Sequence, residues 1–397
     1  MQSKVEVIGN KKNVLIVHNY YQIPGGEDTV VANEKCLLEE HGHKVVLYSR
    51  NNNEITRRNS FFVPIKMIFN LKTYYEIRHI IKNESIDIVH VHNTLNLISP
   101  SVYYAARVCK TPVVQTIHNF RMVCPGATLY RDGHICEECL EKGIARAIQY
   151  GCYRNSKVQT CICVLNTIFH RMTGIYKKIN YICLTEFNKS KLLAMGSIQK
   201  DQIFIKPNFT TVTSKILNAD QRKERIVFAG RLDGLKGIDI LFEAWKKMGK
   251  KAPELVVCGV GPMEKWCIEF IDENEITNIK MLGFLQNSEV RDLIANSKAL
   301  ILPTQWYEGF PMSLIEAFSV GTPVVCSNLG NTANIVEEAR NGYKFSEKSI
   351  EELMKAIEKL DDNPNIYNTT YEVFEKKYTA EKNYSELIHI YSECKCH

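Results

Sequence analysis

Long apolar runs are missing from this sequence of 397 residues. No run reaches the roughly 18 residues that a membrane-spanning helix needs, and the stretch at 61–71 is interrupted by Pro64 and Lys66. Residues 1–13 are charged and precede only a short apolar run, so we expect no signal peptide. The sequence also has no fixed-period repeat and no low-complexity tract. These absences predict a cytoplasmic protein.

A strong charge of one sign is missing as well. Lys and Arg total 50 against 44 acidic residues, and the net charge of +6 is too small to indicate a nucleic-acid-binding protein. The total conceals a division, because residues 1–206 carry 27 basic and 16 acidic side chains, whereas 207–397 carry 23 and 28. With 45% hydrophobic residues the composition is globular. The division favours two domains with different partners and no nucleic acid.

Cysteine is present in number. A cytoplasmic chain keeps its 14 cysteines reduced, which makes them packing residues, metal ligands or reactive thiols. Cys124, Cys136, Cys139 and Cys152 are spaced C-x11-C-x2-C-x12-C in a glycine-bearing, loop-like stretch. Four thiolates can close a tetrahedral structural zinc site. Because the spacing differs from paired C-x2-C knuckles, two interpretations stay open: a structural zinc site, and free thiols or a partial site.

Short β-branched runs alternate with amphipathic helical patterns along the whole chain. The alternation predicts an α/β fold of two consecutive Rossmann-like domains with parallel, doubly wound sheets. A polar stretch at 207–224 separates them, so we expect domains 1–206 and 207–370 and a C-terminal helix, 371–397, that packs back on the first. The predicted strands are Val14–Val17, Val45–Tyr48, Ile86–Val91, Val113–Ile117 and Tyr181–Leu184, then Ile226–Ala229, Glu254–Cys258, Ile279–Leu282, Ala299–Leu302 and Pro323–Cys326.

The segment Pro303-Thr-Gln-Trp-Tyr-Glu-Gly-Phe-Pro-Met-Ser-Leu-Ile-Glu316 carries the most informative pattern. It follows a strand, turns at Gly309 and runs into a predicted helix, with a proline where a helix start tolerates it. Exposed backbone N–H groups at a helix start suit a phosphate or sugar hydroxyls, and a carboxylate beside them can accept hydrogen bonds from vicinal hydroxyls. Glu308 and Glu316 are therefore candidate binding residues.

A second pattern is the glycine-bearing turn after the strand Ile226–Ala229. Arg231 offers a planar fork of donors and Lys236 a compact charge, a combination that suits a diphosphate. Such a pair can stabilise the charge that develops on a leaving nucleoside diphosphate without a divalent ion. The sequence has no Asp-x-Asp motif. We therefore expect no catalytic metal.

These motifs resemble those of a known family. Glu308-x7-Glu316 is similar to the signature of the family-four retaining glycosyltransferases (glycosyl transferases group 1), which have the GT-B fold. Segments that resemble other parts of that family are Phe228-Ala-Gly-Arg-Leu-Asp-Gly-Leu-Lys-Gly237, Cys258-Gly-Val-Gly-Pro262, Leu282-Gly-Phe-Leu285 and Gly321-Thr-Pro-Val-Val325. The resemblance implies a GT-B architecture, with two facing Rossmann-like domains and a deep interdomain cleft.

The resemblance also implies roles for residues of the second half. Glu316 would hold the ribose of the donor, and Glu308 would hold the sugar hydroxyls with help from N–H groups near Gly309 and Phe310. The base would rest near Leu285. Arg231 and Lys236 would contact the diphosphate. Retention in this family is argued as front-face attack, so Glu308 is not assigned as a base.

The first half matches the family more loosely. Pro24-Gly25-Gly26-Glu27 resembles its glycine loop, which approaches the donor phosphate where a Cβ would intrude. A simple turn is an equal alternative. By resemblance His118 would contact the donor sugar and its phosphate, although Asn119 follows it where the family often has Asp. His18, His90 and His92 lie near other strand ends and are interpreted as structural or acceptor-contacting residues.

The range 50–82 combines basic residues with exposed-looking aromatic and aliphatic ones, among them Phe61, Phe62 and Ile65. This mixture suits the surface of an anionic membrane. A helix packed on its own domain with solvated charges is the alternative. Family members often meet a lipid-linked acceptor with the first domain, which favours a peripheral location on the inner face of the plasma membrane.

Together these features predict a retaining glycosyltransferase, an enzyme of hexosyl or related transfer, that moves a sugar from a UDP- or GDP-sugar to a hydroxyl of a glycan or lipid-linked glycan in bacterial surface polysaccharide synthesis. The alternatives are a sugar-nucleotide epimerase of similar fold and a catalytically silent, zinc-stapled scaffold of a polysaccharide assembly. A nicotinamide-dependent dehydrogenase is disfavoured because no G-x-G-x-x-G follows the first strand.

Overall fold

The structure is a computed structural model that describes residues 11–22, 25–58, 60–212 and 216–396. The described chain divides into two compact units. The first unit comprises residues up to 129, 136–208 and 381 onward, and the second comprises 130–135 and 209–380. The units therefore divide between Asn208 and Phe209.

The first unit holds a parallel sheet of six strands in the order β2-β1-β3-β4-β7-β8. Its central strands are apolar on both faces, as expected when helices cover a parallel sheet on each side. The elements up to the hairpin are β1 (Asn13–Tyr20), α1 (Gly26–Glu40), β2 (Lys44–Asn51), α2 (Val63–Ile68), α3 (Leu71–Asn83), β3 (Ile88–Asn93), α4 (Ser101–Val108) and β4 (Val113–Ile117).

A long connection follows β4 before the next long helix. It contains a short antiparallel hairpin, β5 (Tyr130–Arg131) and β6 (His134–Ile135), that belongs to the second unit. The remaining elements of the first unit before the division are α5 (Glu138–Glu141), α6 (Arg146–Tyr150), α7 (Lys157–Met172), β7 (Asn180–Cys183), α8 (Glu186–Leu193) and β8 (Ile203–Ile205).

The second unit holds another parallel six-stranded sheet, in the order β11-β10-β9-β12-β13-β14. Its elements are β9 (Lys223–Ala229), α9 (Ile238–Met248), β10 (Glu254–Cys258), α10 (Glu264–Glu273), β11 (Ile279–Gly283), α11 (Asn287–Ala295), β12 (Ser297–Leu302), α12 (Met312–Ser319), β13 (Val324–Ser327), α13 (Gly330–Ile335), β14 (Gly342–Phe345), α14 (Ile350–Glu358) and α15 (Ile366–Lys377).

Each face of this second sheet has its own core. Ile226 and Phe228 of β9 point to one face and pack in the cluster that contains Trp245 of α9, whereas Val227 points to the other and packs in the cluster that contains Leu314 of α12. All five residues are buried. The carboxyl end of β9 is thus fixed between two cores, and the turn that follows it is held in place.

The predicted strands all exist, with longer bounds for several. β8 and β14 were not among them, because Ile203–Ile205 and Gly342–Phe345 are short edge strands with little pattern of their own. The polar stretch 207–224 includes the start of β9 at Lys223. Short edge strands are defined by their neighbours in the sheet, which a local pattern does not reveal.

The C-terminal region differs from the single helix expected at 371–397. It forms two helices, α15 in the second unit and α16 (Ala380–Glu393), which lies in the first unit apart from its first residue. The hydroxyl of Tyr384 is 2.9 Å from Nε2 of His43, and that of Tyr391 is 2.8 Å from Nδ1 of His90. These buried tyrosines fix α16 to the first sheet.

Candidate functional site

The turn after β9 is organised by Asp233. Its Oδ1 accepts the backbone N–H of Lys236 at 3.1 Å, and its Oδ2 accepts Nε–H of Arg231 at 2.5 Å. Gly237 closes the turn with a φ of 70°, where a Cβ would lie 1.9 Å from the carbonyl oxygen of Pro303. Only glycine fits there, and the contact brings the turn against the segment after β12.

Glu308 lies at the centre of a cluster of three donors on that segment. Its Oε1 is 2.6 Å from Nζ of Lys236, 3.0 Å from Oγ1 of Thr304 and 3.1 Å from Nε1 of Trp306. Only 9% of Glu308 is exposed. The fold therefore joins Lys236 and Glu308, which are 72 positions apart and were predicted from separate motifs.

The backbone after Glu308 is oriented by Asn331 of α13. The side-chain amide of Asn331 donates to the carbonyl oxygens of Glu308 at 2.5 Å and Gly309 at 2.7 Å. In a trans peptide the N–H points opposite to the C=O. The N–H groups of Gly309 and Phe310 therefore point away from Asn331, as a pair of donors on one side of the chain.

The predicted base and ribose residues lie on neighbouring elements of the same unit. Leu285, after β11, and Phe310, before α12, pack against one apolar cluster. Burial raises the pKa of Glu316 on α12, and Arg291 of α11 opposes that shift. Nε of Arg291 is buried and has no hydrogen-bond partner among the described residues. The start of α11 and the middle of α12 thus bring an acid and a guanidinium close together.

In the first unit, Gly25 and Gly26 stand at the start of α1, and Pro24 lies outside the described residues. The N–H of Gly25 donates to Oδ2 of Asp28 at 3.0 Å. A Cβ on Gly25 would meet nothing within 4 Å. The described neighbours do not require glycine at this position, so the phosphate role of the glycine pair stays a prediction.

The first turn of α1 also carries a buried acid, Glu27. Its Oε2 accepts the hydroxyl of Tyr21 at 3.4 Å, and its Oε1 lies 3.8 Å from Nδ1 of His18. Burial raises the pKa of Glu27 to about 8, the neighbouring Asp28 adds to the shift, and Arg121 opposes it. Glu27 is therefore largely protonated at neutral pH.

His118, at the end of β4, belongs to a buried polar chain. Its Nε2 is 2.9 Å from Nδ1 of His92, and Nε2 of His92 is 3.4 Å from Oε2 of Glu34. Oε1 of Glu34 is 2.5 Å from Nζ of Lys206, which is also 3.2 Å from Oδ1 of Asn383. This chain connects β4, β3, α1 and α16, and it places a full ion pair beneath the carboxyl ends of the strands.

The hydrogen-bond network assigns the tautomers of these histidines. Nε2 of His92 faces Glu34, a carboxylate that only accepts, so the single proton of neutral His92 belongs on Nε2. Its Nδ1 then accepts from Nε2–H of His118, which leaves the lone pair of His118 on Nδ1. Burial lowers the pKa of His118 to about 3 against the opposing pull of Glu34. His118 is thus a neutral acceptor.

A small cavity of about 80 Å³ adjoins His118 in the first unit. Its lining includes Asn119, Arg121 and Asn166. Oδ1 of Asn119 accepts the N–H of Arg121 at 3.0 Å and so stabilises the turn after β4. In this chain the amide of Asn119 therefore has a local structural task.

Glu34, His90 and His92 form the group in the described residues whose possible metal-ligating atoms all lie within 4.8 Å of one another. Lys206 already neutralises Glu34, so a divalent cation would leave a buried net charge of about +2, which is costly without further anions. His90 has partners on both ring nitrogens, Tyr391 at 2.8 Å and the hydroxyl of Thr116 at 2.7 Å. We interpret the group as a structural ion pair.

The four predicted zinc ligands, Cys124, Cys136, Cys139 and Cys152, lie in the first unit. All are free thiols, as are the other ten cysteines. The thiols of Cys124 and Cys139 are hydrogen-bonded to each other, and Cys136 and Cys152 lie near Cys139. The fold therefore gathers these residues from a long connection.

Several contacts of the two sites were not predicted from sequence. Thr304 and Trp306 were part of the motif, but their bonds to Glu308 depend on the bend of the chain. Asn331 carried no signal of its own. In the first unit Glu34 and Lys206 lie far apart in sequence, and a buried charge that interrupts the apolar face of α1 is the one signal that could have found Glu34.

The architecture matches that of solved glycosyltransferases. The structure superposes on that of Anabaena HepE in complex with UDP with a TM-score of 0.67 and 14% identity, covering 96% of this chain and 99% of that one. Two parallel α/β units in succession and this likeness define the GT-B fold. At this identity the likeness establishes the fold alone.

Sequence comparisons then give the family. Residues 210–393 match the model of Glycosyl transferases group 1, and residues 24–155 match that of Glycosyltransferase Family 4. The chain belongs to the group 1 glycosyltransferases of family four and is a transferase enzyme.

Two relatives have comparable length. One of them, from human phosphatidylinositol N-acetylglucosaminyltransferase, is 22% identical over 368 residues, which cover 87% of this chain and 68% of that protein. An uncharacterized 42.6 kDa protein in the cps region of Klebsiella pneumoniae is 23% identical over 355 residues, 85% of each chain. In the part of the chain that the structure describes, no helix is both long and apolar enough to cross a bilayer.

Proposed function

We propose that this glycosyltransferase moves a sugar from a UDP- or GDP-sugar to a hydroxyl of a glycan or lipid-linked glycan, with retention at the anomeric carbon. The observation that carries the proposal is the contact of Lys236 with Glu308. It sets a cation for a leaving diphosphate beside a carboxylate for sugar hydroxyls. The UDP bound to HepE supports a nucleotide donor.

In the proposed reaction the bond between the anomeric carbon and the diphosphate oxygen breaks, and the acceptor oxygen forms its bond on the same face. The acceptor proton passes to the departing diphosphate. Lys236 and Arg231 would stabilise the charge on that leaving group, and the N–H groups of Gly309 and Phe310 would add two donors. This charge balance needs no divalent ion, so we expect transfer with magnesium omitted and a metal chelator present.

The remaining donor contacts follow the family resemblance. Glu316 would accept from the ribose hydroxyls, and Leu285 would pack against the base. Nδ1 of His118, the lone-pair nitrogen, would accept from a hydroxyl of the donor sugar. We expect His118→Ala to lower transfer while UDP binding through the second unit persists, measured by turnover and by titration with UDP.

A screen of nucleotide sugars by thermal unfolding tests the donor proposal. A donor at 100 times its Kd stabilises the folded state by about 2.7 kcal/mol. With that donor, NMR of the product gives the anomeric configuration. Inversion would refute the retaining mechanism, release of free epimerised sugar without acceptor would indicate an epimerase, and binding without any turnover would indicate a silent scaffold.

We also propose that the first unit contacts an anionic membrane to reach a lipid-linked acceptor. Phe61, Phe62 and Ile65, at the start of α2, are 81%, 55% and 65% exposed. Exposed Arg57, Arg58 and Lys66 accompany them in sequence. Apolar side chains flanked by cations suit anionic lipid headgroups. The human relative, whose name refers to phosphatidylinositol, supports a lipid acceptor.

Helix α7 extends the apolar side chains near α2. Met67 of α2 packs with Cys163 of α7, and the carbonyl of Ile68 is 2.9 Å from Nε2 of His170. Along α7, exposed side chains recur with helical spacing on the face opposite its buried one. They are Val158, Leu165, Phe169 and Met172. A helix that is apolar on both faces has one face left for another surface.

The membrane proposal is tested by sedimentation with phosphatidylglycerol and phosphatidylcholine vesicles. We expect binding to the anionic vesicles alone, reduced about tenfold or more in Phe61→Ser/Phe62→Ser because two large apolar contacts are lost. The matched control is Ile268→Ser, an exposed residue of α10 in the second unit. Equal binding of the double variant and wild type would refute the proposal, as would concentration-dependent dimerisation through α2 without lipid binding.

A further inference from the structure

The connection between β4 and α7 has little regular structure to hold it. It contains two-residue strands, the four-residue helix α5 and the five-residue helix α6. Its apolar cluster is small, formed by Ile144 and Ala147 with Val164 of α7, and partly buried Cys139 and Cys152 pack against it. A connection of this kind needs another source of order, because its backbone entropy is opposed by few buried contacts.

Four thiols meet in this connection. Besides the hydrogen bond between Cys124 and Cys139, a single point locates two more atoms. A Cβ built on Gly126 would lie 3.7 Å from Sγ of Cys124 and 3.6 Å from Cβ of Cys152. Cys136 precedes Cys139 by three residues, and its N–H donates to the carbonyl of Leu129 at 2.8 Å.

The backbone around Cys124 is arranged for a thiolate. Its sulfur faces three backbone N–H donors, those of Gly126, Thr128 and Leu129. N–H donors directed at sulfur stabilise the negatively charged form, which is the form that ligates metals. A cysteine that served packing alone would need an apolar environment instead. This is an observation independent of the spacing of the four residues.

The four cysteines are near each other but do not form a closed tetrahedron. Within the described residues, the compact group with all ligand atoms inside 4.8 Å is the one around Glu34, and the cysteines are looser than that. Zn–S bonds of about 2.3 Å require sulfurs about 3.8 Å apart. Rotation about one Cα–Cβ bond moves a sulfur by about 3 Å, so rotamer changes without backbone rearrangement can close the gap.

We propose that Cys124, Cys136, Cys139 and Cys152 bind one structural zinc ion that holds the connection between β4 and α7. Four thiolates without a carboxylate or water leave no open position, which is the pattern of a structural site. Zinc is preferred over harder cations by an all-sulfur ligand set. The proposal is independent of the transfer mechanism, because no predicted donor residue is among the ligands.

The test is metal analysis of the full-length chain purified without chelators. We expect about one zinc per wild-type chain and loss of most of it in Cys139→Ser, since three thiolates bind far more weakly than four. The matched control is Cys161→Ser, a partly buried cysteine of α7 outside the group, which should retain zinc. Absence of zinc from the wild type, or equal zinc in Cys139→Ser, would overturn the proposal.

A second measurement does not depend on folding of the variants. Titration of native wild-type protein with a mercurial should release zinc, followed with a chromophoric chelator, and released zinc should be followed by faster proteolysis between Gly126 and Gly151. Iron with a visible absorption band would overturn the zinc assignment and indicate an iron–sulfur cluster. Zinc release without a change in proteolysis would overturn the structural role.

Discussion

Replacement of Lys236 by methionine separates the proposed chemistry from stability. Methionine keeps most of the volume of the lysine stem and removes the ammonium that lies 2.6 Å from Glu308. Glu308 retains its bonds from Thr304 and Trp306. Loss of one charge-assisted bond, partly offset by relief of desolvation, predicts a decrease of about 1–2 kcal/mol in the free energy of unfolding.

The expected effect on turnover is larger. Removal of one preorganised donor from a developing anion costs about 10²–10³ in kcat, which is roughly 2.7–4 kcal/mol in the transition state. We therefore expect kcat/KM of Lys236→Met with the identified donor to fall by this factor. The assay is release of nucleoside diphosphate in the presence of acceptor, with stability measured by urea unfolding at the same temperature.

Lys298→Met is the matched control. Lys298 is 7% exposed by side chain, lies on β12 of the same unit and pairs with Glu224 and Asp361. We expect a similar loss of stability and a kcat/KM within about twofold of wild type, since no donor residue contacts it. The reasoning is refuted if Lys236→Met retains a third of wild-type turnover, or if Lys298→Met loses as much activity.

Three further predictions concern single residues. Glu308→Gln should lower transfer about 10²-fold yet leave UDP binding equal or tighter, measured by calorimetry, because Lys236 loses a competing anion. Because Glu27 stays protonated in the fold up to about pH 8, wild-type stability should fall by up to about 4 kcal/mol as pH rises from 5 to 8, and urea unfolding should show no such component in Glu27→Gln. Gly237→Ala should cost more than about 2 kcal/mol, since its Cβ would overlap Pro303, whereas Gly234→Ala, in open space, should cost less than about 1 kcal/mol in thermal unfolding.

Each of these has a contradicting outcome. Weaker UDP binding in Glu308→Gln would mean that the carboxylate supports the nucleotide rather than the sugar. Parallel pH profiles of wild type and Glu27→Gln would place the titration elsewhere. Equal costs for the two glycine variants would show that the turn after β9 moves away from Pro303 at little cost.

Local signals in the sequence determined much of the fold. Strands such as Glu254–Cys258 and Val113–Ile117 have the predicted bounds, because apolar β-branched runs buried on both faces have a strong pattern of their own. Edge strands β8 and β14 lack that pattern and depend on pairing with neighbours. The break before α16 was also missed, because α15 and α16 are both amphipathic and their patterns run together.

For the site, sequence identified the chemistry and tertiary structure decided the partners. Glu308, Lys236 and Arg231 stood out because a charge beside a glycine turn at a strand end has a recognisable local context. That Lys236 pairs with Glu308 while Arg231 pairs with Asp233 depends on how the turn after β9 packs against the segment after β12. No local rule assigns partners between two cations and two acids.

The absence of long apolar runs excluded a membrane span, yet it gave no information on surfaces. Only the fold places Met67 of α2 on α7 and leaves Phe61 exposed beside a second apolar helix face. The same holds for the buried pair of Glu34 and Lys206, 172 positions apart, which bears on the tautomer of His118. Sequence fixes which groups a chain carries and their local geometry, whereas burial and pairing arise from contacts between distant segments that form together when the chain folds.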